Sequence, residues 1–396
     1  MLWCHDGWMP RNPDKIDYSG GHPTHFASFE VIEDPRTGGN KRHHFGEVLF
    51  MAVSAMLCGM NGFSDIEEFC RLQVDWLKKW IKLPNGIPRA QTFSNIFQII
   101  DPKLFNKCVT DHIGTLSKGL QRQIVAVDGK ALRGSHELKQ SCAHAVSAWA
   151  AESGVTLAQE FVGEKTNEID AIPKLLELLS LEGQIVTIDA MGTHTHIAQA
   201  IVDQQADYIL ALKGNQGNLH KEVVDQFHFA TTQLDLAKST HWSSHTDTEK
   251  AHGRITTRRV VSTSNLDWMD NEIRVRWKGL RSVVMVESET TDLGEKKPTR
   301  HARFYISSLD CGAEEFQRHI RLHWSIENQC HWVLDTAFRE DHNQTYKAHA
   351  AKNLGALRRI VLNLLKIDSS RQKSIPKKRL HAQMDPAYRE KVLSLA

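Results

Sequence analysis

The sequence predicts an α/β fold: a mixed sheet, preceded by a small helical bundle and joined by a separate β-rich stretch. Three observations carry this. Between Ile124 and Lys213 short β-favouring runs alternate with helical stripes; before Gln121 apolar residues recur at helical spacing; from about residue 240 to 309 apolar or alternating runs appear without helical stripes. With 396 residues, 41% of them hydrophobic, the chain can bury more than one core, so two or three modules are expected.

Taken in order, residues 1–26 are rich in Gly, Pro, His and Asp without a period and read as an extended arm. Cys4, His5, His22 and His25 fall there at a spacing that matches no familiar metal site. Residues 27–120 read as a helical domain: Phe45, Val48, Leu49, Ala52, Val53 and Met56 share one stripe, and Ile66, Phe69, Cys70, Leu77, Trp80 and Ile81 another. Ser64 with Glu67 three residues on forms a capping-box pattern, Thr92 is placed to cap a further helix, and Asp101-Pro102 starts the next. After Gln121 come the strands IVAVD, HAVSAWA and VTLAQEFVG, the last two joined by a Ser153-Gly154 turn. A helix over about 168–181, the strand IVTIDA, a helix near Thr193 and the strand YILALK complete residues 121–230. Residues 231–310 form the β-rich stretch, a long helix runs from near Ala313 through Glu327, a last helix covers about 348–366, and residues 369–396 read as a flexible basic tail.

The formal net charge of +2 neither demands nor excludes nucleic acid, so the position of the cations is what informs. Lys250 to Arg281 holds eight Lys/Arg against three Asp/Glu, and Lys366 to Lys391 again eight against three. Both runs are candidate phosphate-contacting surfaces. Seven cysteines without a Cys-x-x-Cys pair fit neither a disulfide framework nor a zinc knuckle, and a reducing compartment is expected. No signal-peptide pattern opens the chain, and no apolar run approaches the roughly 20 residues that span a bilayer.

The chemistry begins with IVAVDGKALRGS, where a buried run ends on Asp128 and is followed by Lys130 and Arg133. IVTIDA repeats the pattern and ends on Asp189. Ligands gather at the carboxyl ends of strands in open α/β sheets. Two carboxylates brought together there repel unless a cation offsets them, and Mg²⁺ suits a few carboxylate oxygens with its other positions left to water and phosphate. A third carboxylate is expected on a later helix. Glu327 stands seven residues from Ile320 and from Leu334, on an apolar stripe where a charge is costly unless paired or metal-bound. Asp335, Glu340 and Asp341 fit the pattern too, and the bland alternative for Glu327 is an ion pair with Arg321.

The ordered blocks EDPR, GIPRAQTFSNIFQIIDP, DGKALRGS, AHAVSAWA, TNEIDAIPKLLELL, IVTIDAMGTH, YILALKGNQ, HGRITTRR, YISSL, HWSIENQCHWVLDTAFRED and NLGALRRIVLNLLK closely resemble the DDE transposases of bacterial insertion sequences, in particular the subgroup of H-repeat-associated proteins. The resemblance implies a ribonuclease-H-like catalytic domain over residues 121–230 and 311–368, split by a β-rich insertion over 231–310, with Asp128, Asp189 and Glu327 as catalytic and metal-holding acids. It further implies Mg²⁺ (or Mn²⁺), cleavage of double-stranded DNA at element ends, transfer of the freed 3′-OH into target DNA, a homodimer on DNA, and action at the bacterial nucleoid in the cytoplasm. A nuclease without strand transfer and a silent DNA-binding relic are the competing readings. One departure stands out: where related transposases place a tyrosine, an arginine and a lysine around the glutamate, this chain has Ile320, His323 and Leu334. Candidate DNA contacts are Lys130, Arg133, Lys213, Arg254, Arg258, Arg259, Arg321, His323 and His331. Trp324 and Trp332 flank the glutamate and are expected mainly to pack, as is His144.

Overall fold

The strands of this protein join into one nine-stranded sheet of order β3-β2-β1-β4-β5-β9-β8-β7-β6. The structure is a computed structural model and describes residues 33–38, 41–107, 110, 123–133, 142–162, 167–233, 235, 239–251, 253–292 and 297–395. Residues 1–26, with Cys4, His5, His22 and His25 and the expectation of an extended arm, lie outside them.

Strands β1 (Ile124–Leu132), β2 (Ala143–Ala150) and β3 (Val155–Phe161) form an antiparallel meander. Gly154 closes the β2–β3 turn with φ +68°, a conformation that costs glycine nothing. β4 (Ile185–Ile188) and β5 (Asp207–Leu212) add to β1 in parallel. The β-rich stretch is continuous with these five strands. Its strands β6 (Trp242–Ala251), β7 (Arg254–Thr263), β8 (Ser282–Asp292) and β9 (Thr299–Ser307) continue the same sheet, because β9 pairs antiparallel with β5 through Ile209↔Ser307 and its neighbours.

Side chains alternate across a strand, so each strand serves two cores. Ile124 and Ala126 of β1 enter one apolar cluster, whereas Val125 and Val127 enter the other. The first cluster also takes the amino-terminal helices α1 (Phe45–Leu57), α2 (Phe63–Leu72) and α3 (Ala90–Ile99). These helices therefore share a core with the sheet. α1 is buried on nearly every side, which its sequence FGEVLFMAVSAML allows because it lacks a polar stripe. The opposite face is covered by α4 (Glu168–Glu177), α5 (Thr195–Asp203) and α6 (Gly217–Gln233).

Helix starts differ in detail from the sequence expectation. α2 begins one residue before Ser64, with Asp65 accepting from the Gly62 N–H. That frees Glu67, which pairs with Arg71 at 2.6 Å and accepts the Ala90 N–H, so it caps α3 in place of Thr92. The expected long helix is three pieces: α7 (Ala313–His323), a π turn over Glu327–His331, and α8 (Trp332–Thr336).

α9 (Ala350–Ile367) runs through the first core, and its carboxyl end is followed by structure where a flexible tail was expected. α10 (Ile375–Met384) and α11 (Pro386–Leu393) pack back onto α1. Three basic residues of the supposed tail, Lys378, Arg379 and Arg389, are buried. The correction has a physical reason: these cations satisfy carbonyls at helix ends, as described below, and Tyr388, Val392 and Leu393 supply apolar surface.

Candidate active site

Strand parity decides where the acids point. β1 and β4 run parallel with Val127 beside Ile188, so Asp128 and Asp189 follow as neighbours across a strand spacing of about 4.8 Å. Both fall on the face that holds Ile124, Ala126 and Ile185, toward α7. Asp128 is not a strand tip, since β1 continues to Leu132 against β2; it sits where the parallel neighbour β4 stops. On the opposite face Gly129 lies close to α4: a Cβ there would stand 2.4 Å from Oε1 of Glu168, the first residue of that helix. His144 also belongs to that opposite side, with Nδ1 3.4 Å from the same Glu168 oxygen.

Past Ile188 the chain turns sharply. Oδ1 of Asp189 accepts the N–H groups of Met191 and Gly192 at 3.1 and 3.2 Å, a local turn that short acidic side chains favour. Gly192 has no room for a side chain, because an added Cβ would stand 2.5 Å from Ile188 and 2.7 Å from Ile172.

Asp128, Asp189 and Glu327 line one cavity of about 520 Å³, together with Thr187, Lys213, His323 and Trp324 and an apolar wall that includes Ile209, Phe304 and Ile320. Glu327 opens the π turn and is exposed to this cavity, whereas Ile320 and Leu334, its stripe-mates by sequence, are buried. The π turn starts at Glu327, so the residue it inserts falls between the glutamate and Leu334 and moves those two out of a shared stripe. Arg321 does not pair with it; its guanidinium bonds Asp247 at 3.2 Å and Glu249 at 3.0 Å on β6.

Two histidines border the acids. His331 places Nδ1 3.4 Å from Oδ2 of Asp128. Nδ1 of His323 lies 2.9 Å from the Thr187 hydroxyl, two residues before Asp189 on the same face. Burial pushes the His323 imidazole below its ordinary value, and the fields of Asp128 and Asp189 oppose that without cancelling it.

The candidate DNA-contacting cations separate into groups. Lys213, just beyond β5, is exposed at the cavity and, among the described residues, has no ion-pair partner. Arg133 is 80% exposed, with Nε 3.8 Å from Asp341. Lys130 is turned inward, 2.6 Å from Asp335 and 3.2 Å from Asp341. Arg254, Arg258 and Arg259 on β7 each face a carboxylate, Asp292, Glu249 and Glu287 respectively. Trp332 is exposed, while Trp324 carries the Arg303 guanidinium 4.7 Å from its ring centre. Arg303 lines the cavity as well; alternation along ARFYIS, with Tyr305 on the same face, is the sequence signal that points to it. Away from the three acids, Cys311, Glu315 and His319 bring ligand atoms within 4.8 Å of one another, but a guanidinium nitrogen of Arg318 stands 3.3 Å from His319 Nε2.

Among the described residues no helix is long and apolar enough to cross a membrane.

Residues 26–113 match the family described as DDE_Tnp_1-associated, and residues 119–364 match the family described as Transposase DDE domain. Similar chains include the "Putative transposase YncI" of Escherichia coli O157:H7, 36% identical over 372 residues that cover 92% of this chain and 93% of that one. The "H repeat-associated putative transposase YhhI" of Escherichia coli K12 is 33% identical over 368 residues, covering 92% and 96%. Among solved structures, the piggyBac transposase synaptic complex with hairpin DNA aligns with a TM-score of 0.43 at 10% identity, over 92% of this chain and 76% of that one. The family match spans more than half of the chain and both relatives align over nearly their full lengths: the protein belongs to the DDE transposase family of bacterial insertion sequences, alongside the H-repeat-associated members.

Proposed function

We propose that the protein is a DNA transposase whose Asp128, Asp189 and Glu327 act together in cleavage at insertion-sequence ends and in strand transfer to target DNA. The observation that carries this reading is convergence: acids from three separated segments face one cavity beside the end of β4, the parallel neighbour of β1. The order β3-β2-β1-β4-β5, with acids on β1, after β4 and on a late helical segment, supports a ribonuclease-H-like core.

The donor set fits a hard divalent cation, because the acids offer carboxylate oxygens and Asp189 keeps Oδ2 clear of its own turn. Mg²⁺, or Mn²⁺ in its place, would be held by Asp128, Asp189 and Glu327, and would supply positive charge to offset the negative charge on the attacking and leaving oxygens of phosphoryl displacement. The remaining work belongs to the chain. Lys213 and Arg133 present charge to the DNA backbone at and beside the cavity, and the apolar wall of Ile209, Phe304 and Ile320 limits water on one side of the reacting phosphate. The His331 ring stands beside the Asp128 carboxylate, 3.4 Å away, and Thr187 steadies His323. Water first displaces the 3′-oxygen at the element end, leaving a free 3′-OH and a 5′-phosphate on the flank; that hydroxyl then attacks a target phosphodiester. Two ends must be joined at once, which calls for a homodimer on DNA. Action on chromosomal DNA places the protein in the cytoplasm, at the nucleoid.

The test is metal-dependent nicking of a labelled duplex that carries the element's own end. Wild type should cut with Mg²⁺ or Mn²⁺, and Glu327→Gln should lose about a hundredfold or more of the rate while binding the duplex as before. Tight binding without cleavage by the wild type would sink the reading in favour of a silent DNA-binding protein. Cleavage without joining to a target duplex would reduce it to a nuclease.

A further inference from the structure

Glu327 begins a π turn, a segment with no regular helical register of its own. Two rungs tie the chain just after it to β1. His331 Nδ1 stands 3.4 Å from Asp128 Oδ2, and Lys130 Nζ stands 2.6 Å from Asp335 Oδ1. Residues 128 and 130 lie on one face of the strand about 6.7 Å apart, and residues 331 and 335 lie one helical turn apart, about 6 Å along the axis. The two spacings match, so the second rung sets which turn of the helix faces which strand residue.

The second rung is also anchored from behind. Lys130 is 8% exposed and reaches Asp341 at 3.2 Å and the buried Glu340 at 3.9 Å, while Glu340 is held by Arg359 at 3.1 Å and Arg358 at 3.7 Å. Both arginines are buried on α9. Ionic groups at this depth are poor stabilisers compared with an apolar replacement, and their best use is to fix one arrangement over others.

We propose that Lys130 is a positioning residue: by locking Asp335, it sets the register of the π turn and α8 on β1 and so holds Glu327 over Asp128 and Asp189. The inference rests on the three-acid reading and gives Lys130 a task other than phosphate contact. Its test is Mn²⁺ binding by the full chain, followed through the electron paramagnetic resonance signal of free Mn²⁺, with thermal unfolding and metal-free duplex binding measured in parallel. Lys130→Met should weaken Mn²⁺ binding about 10- to 100-fold, the range found when groups that orient metal ligands are removed. Lys130→Arg should recover much of the loss, and duplex affinity should stay within about twofold of wild type, as expected of a cation turned away from the backbone. If Lys130→Met fails to fold, Asp335→Asn reads the same lock with Asp341 and Glu340 still pairing the lysine, and a fall in Mn²⁺ affinity is again expected. A variant that unfolds at lower temperature yet binds Mn²⁺ as tightly as wild type would overturn the lock and leave the pair merely structural. Separately, Mn²⁺ binding unchanged by both Asp128→Asn and Glu327→Gln would overturn the three-acid reading itself, and the lock with it.

Discussion

The two basic runs carry the same charge count and do opposite work. Along β7, Arg254, Arg258 and Arg259 stay at least partly exposed, and each lies beside a carboxylate on a neighbouring strand. In the carboxyl-terminal run three of the eight cations are turned inside. Arg379 donates to the Met56 carbonyl near the end of α1, Lys378 to the Leu365 and Asp368 carbonyls at the end of α9, and Arg389 to the Ala382 carbonyl in the last turn of α10. Each of these cations meets the negative end of a helix dipole and the carbonyls that a helix end leaves unpaired. Burial holds the Arg379 guanidinium down to about 10, chiefly by desolvation, with Arg358 adding to the effect. An excess of Lys and Arg in sequence therefore marks a nucleic-acid surface only where the side chains remain free of such internal duties.

The largest expected effect lies in the buried run. Arg389 is fully buried, bonds Gln73 and two carbonyls, and stacks 4.4 Å from the Trp76 ring centre. Arg389→Met should cost about 3 kcal/mol, because buried acceptors lose their donor. Urea unfolding gives this as a lower midpoint at unchanged slope, and a loss under about 1 kcal/mol would return the segment to a loosely attached tail.

The exposed run should behave in reverse. Replacing Arg254, Arg258 and Arg259 together by Ala should change stability by about 1 kcal/mol or less, since exposed pairs contribute little. If these arginines also meet DNA, the slope of log affinity against log salt should fall by about 1 per residue removed. An unchanged slope would confine them to cross-strand pairing.

The smallest effect is a pH limb. Burial raises the Asp368 carboxyl, but the Ser370 hydroxyl, the Tyr388 hydroxyl and Lys378 outweigh it and hold the group below its ordinary value of 3.8. The stability this contributes is complete above that ordinary value and is lost as the pH falls through the lower folded one. Tyr388→Phe removes a 2.7 Å bond to Asp368. The variant should lose about 0.5 kcal/mol near neutrality, and its acid unfolding should begin at higher pH than in the wild type. Identical acid limbs would show that Ser370 and Lys378 suffice.

Much of the architecture follows from local signals. Short β-branched runs, a Ser-Gly turn and helical stripes are properties of neighbouring residues, so the strands up to β5 and the helices around them are legible in sequence. The acids at Asp128 and Asp189 stand out for the same reason, as charges that interrupt buried runs.

What local signals cannot carry is decided by partners far along the chain. Only the β5–β9 pairing turns the β-rich stretch into a continuation of the sheet, and only strand parity puts Asp128 and Asp189 on the face of α7. Lys130 and Arg133 look alike in DGKALRGS, yet one is locked to Asp335 and the other lies open. The π turn at Glu327 inserts a residue that no apolar period announces. Composition and periodicity thus determined which elements form and which acids interrupt them. Tertiary packing alone decided which charges face solvent, which face one another, and which are consumed in holding helix ends, because those outcomes depend on distance in space and not on order in the chain.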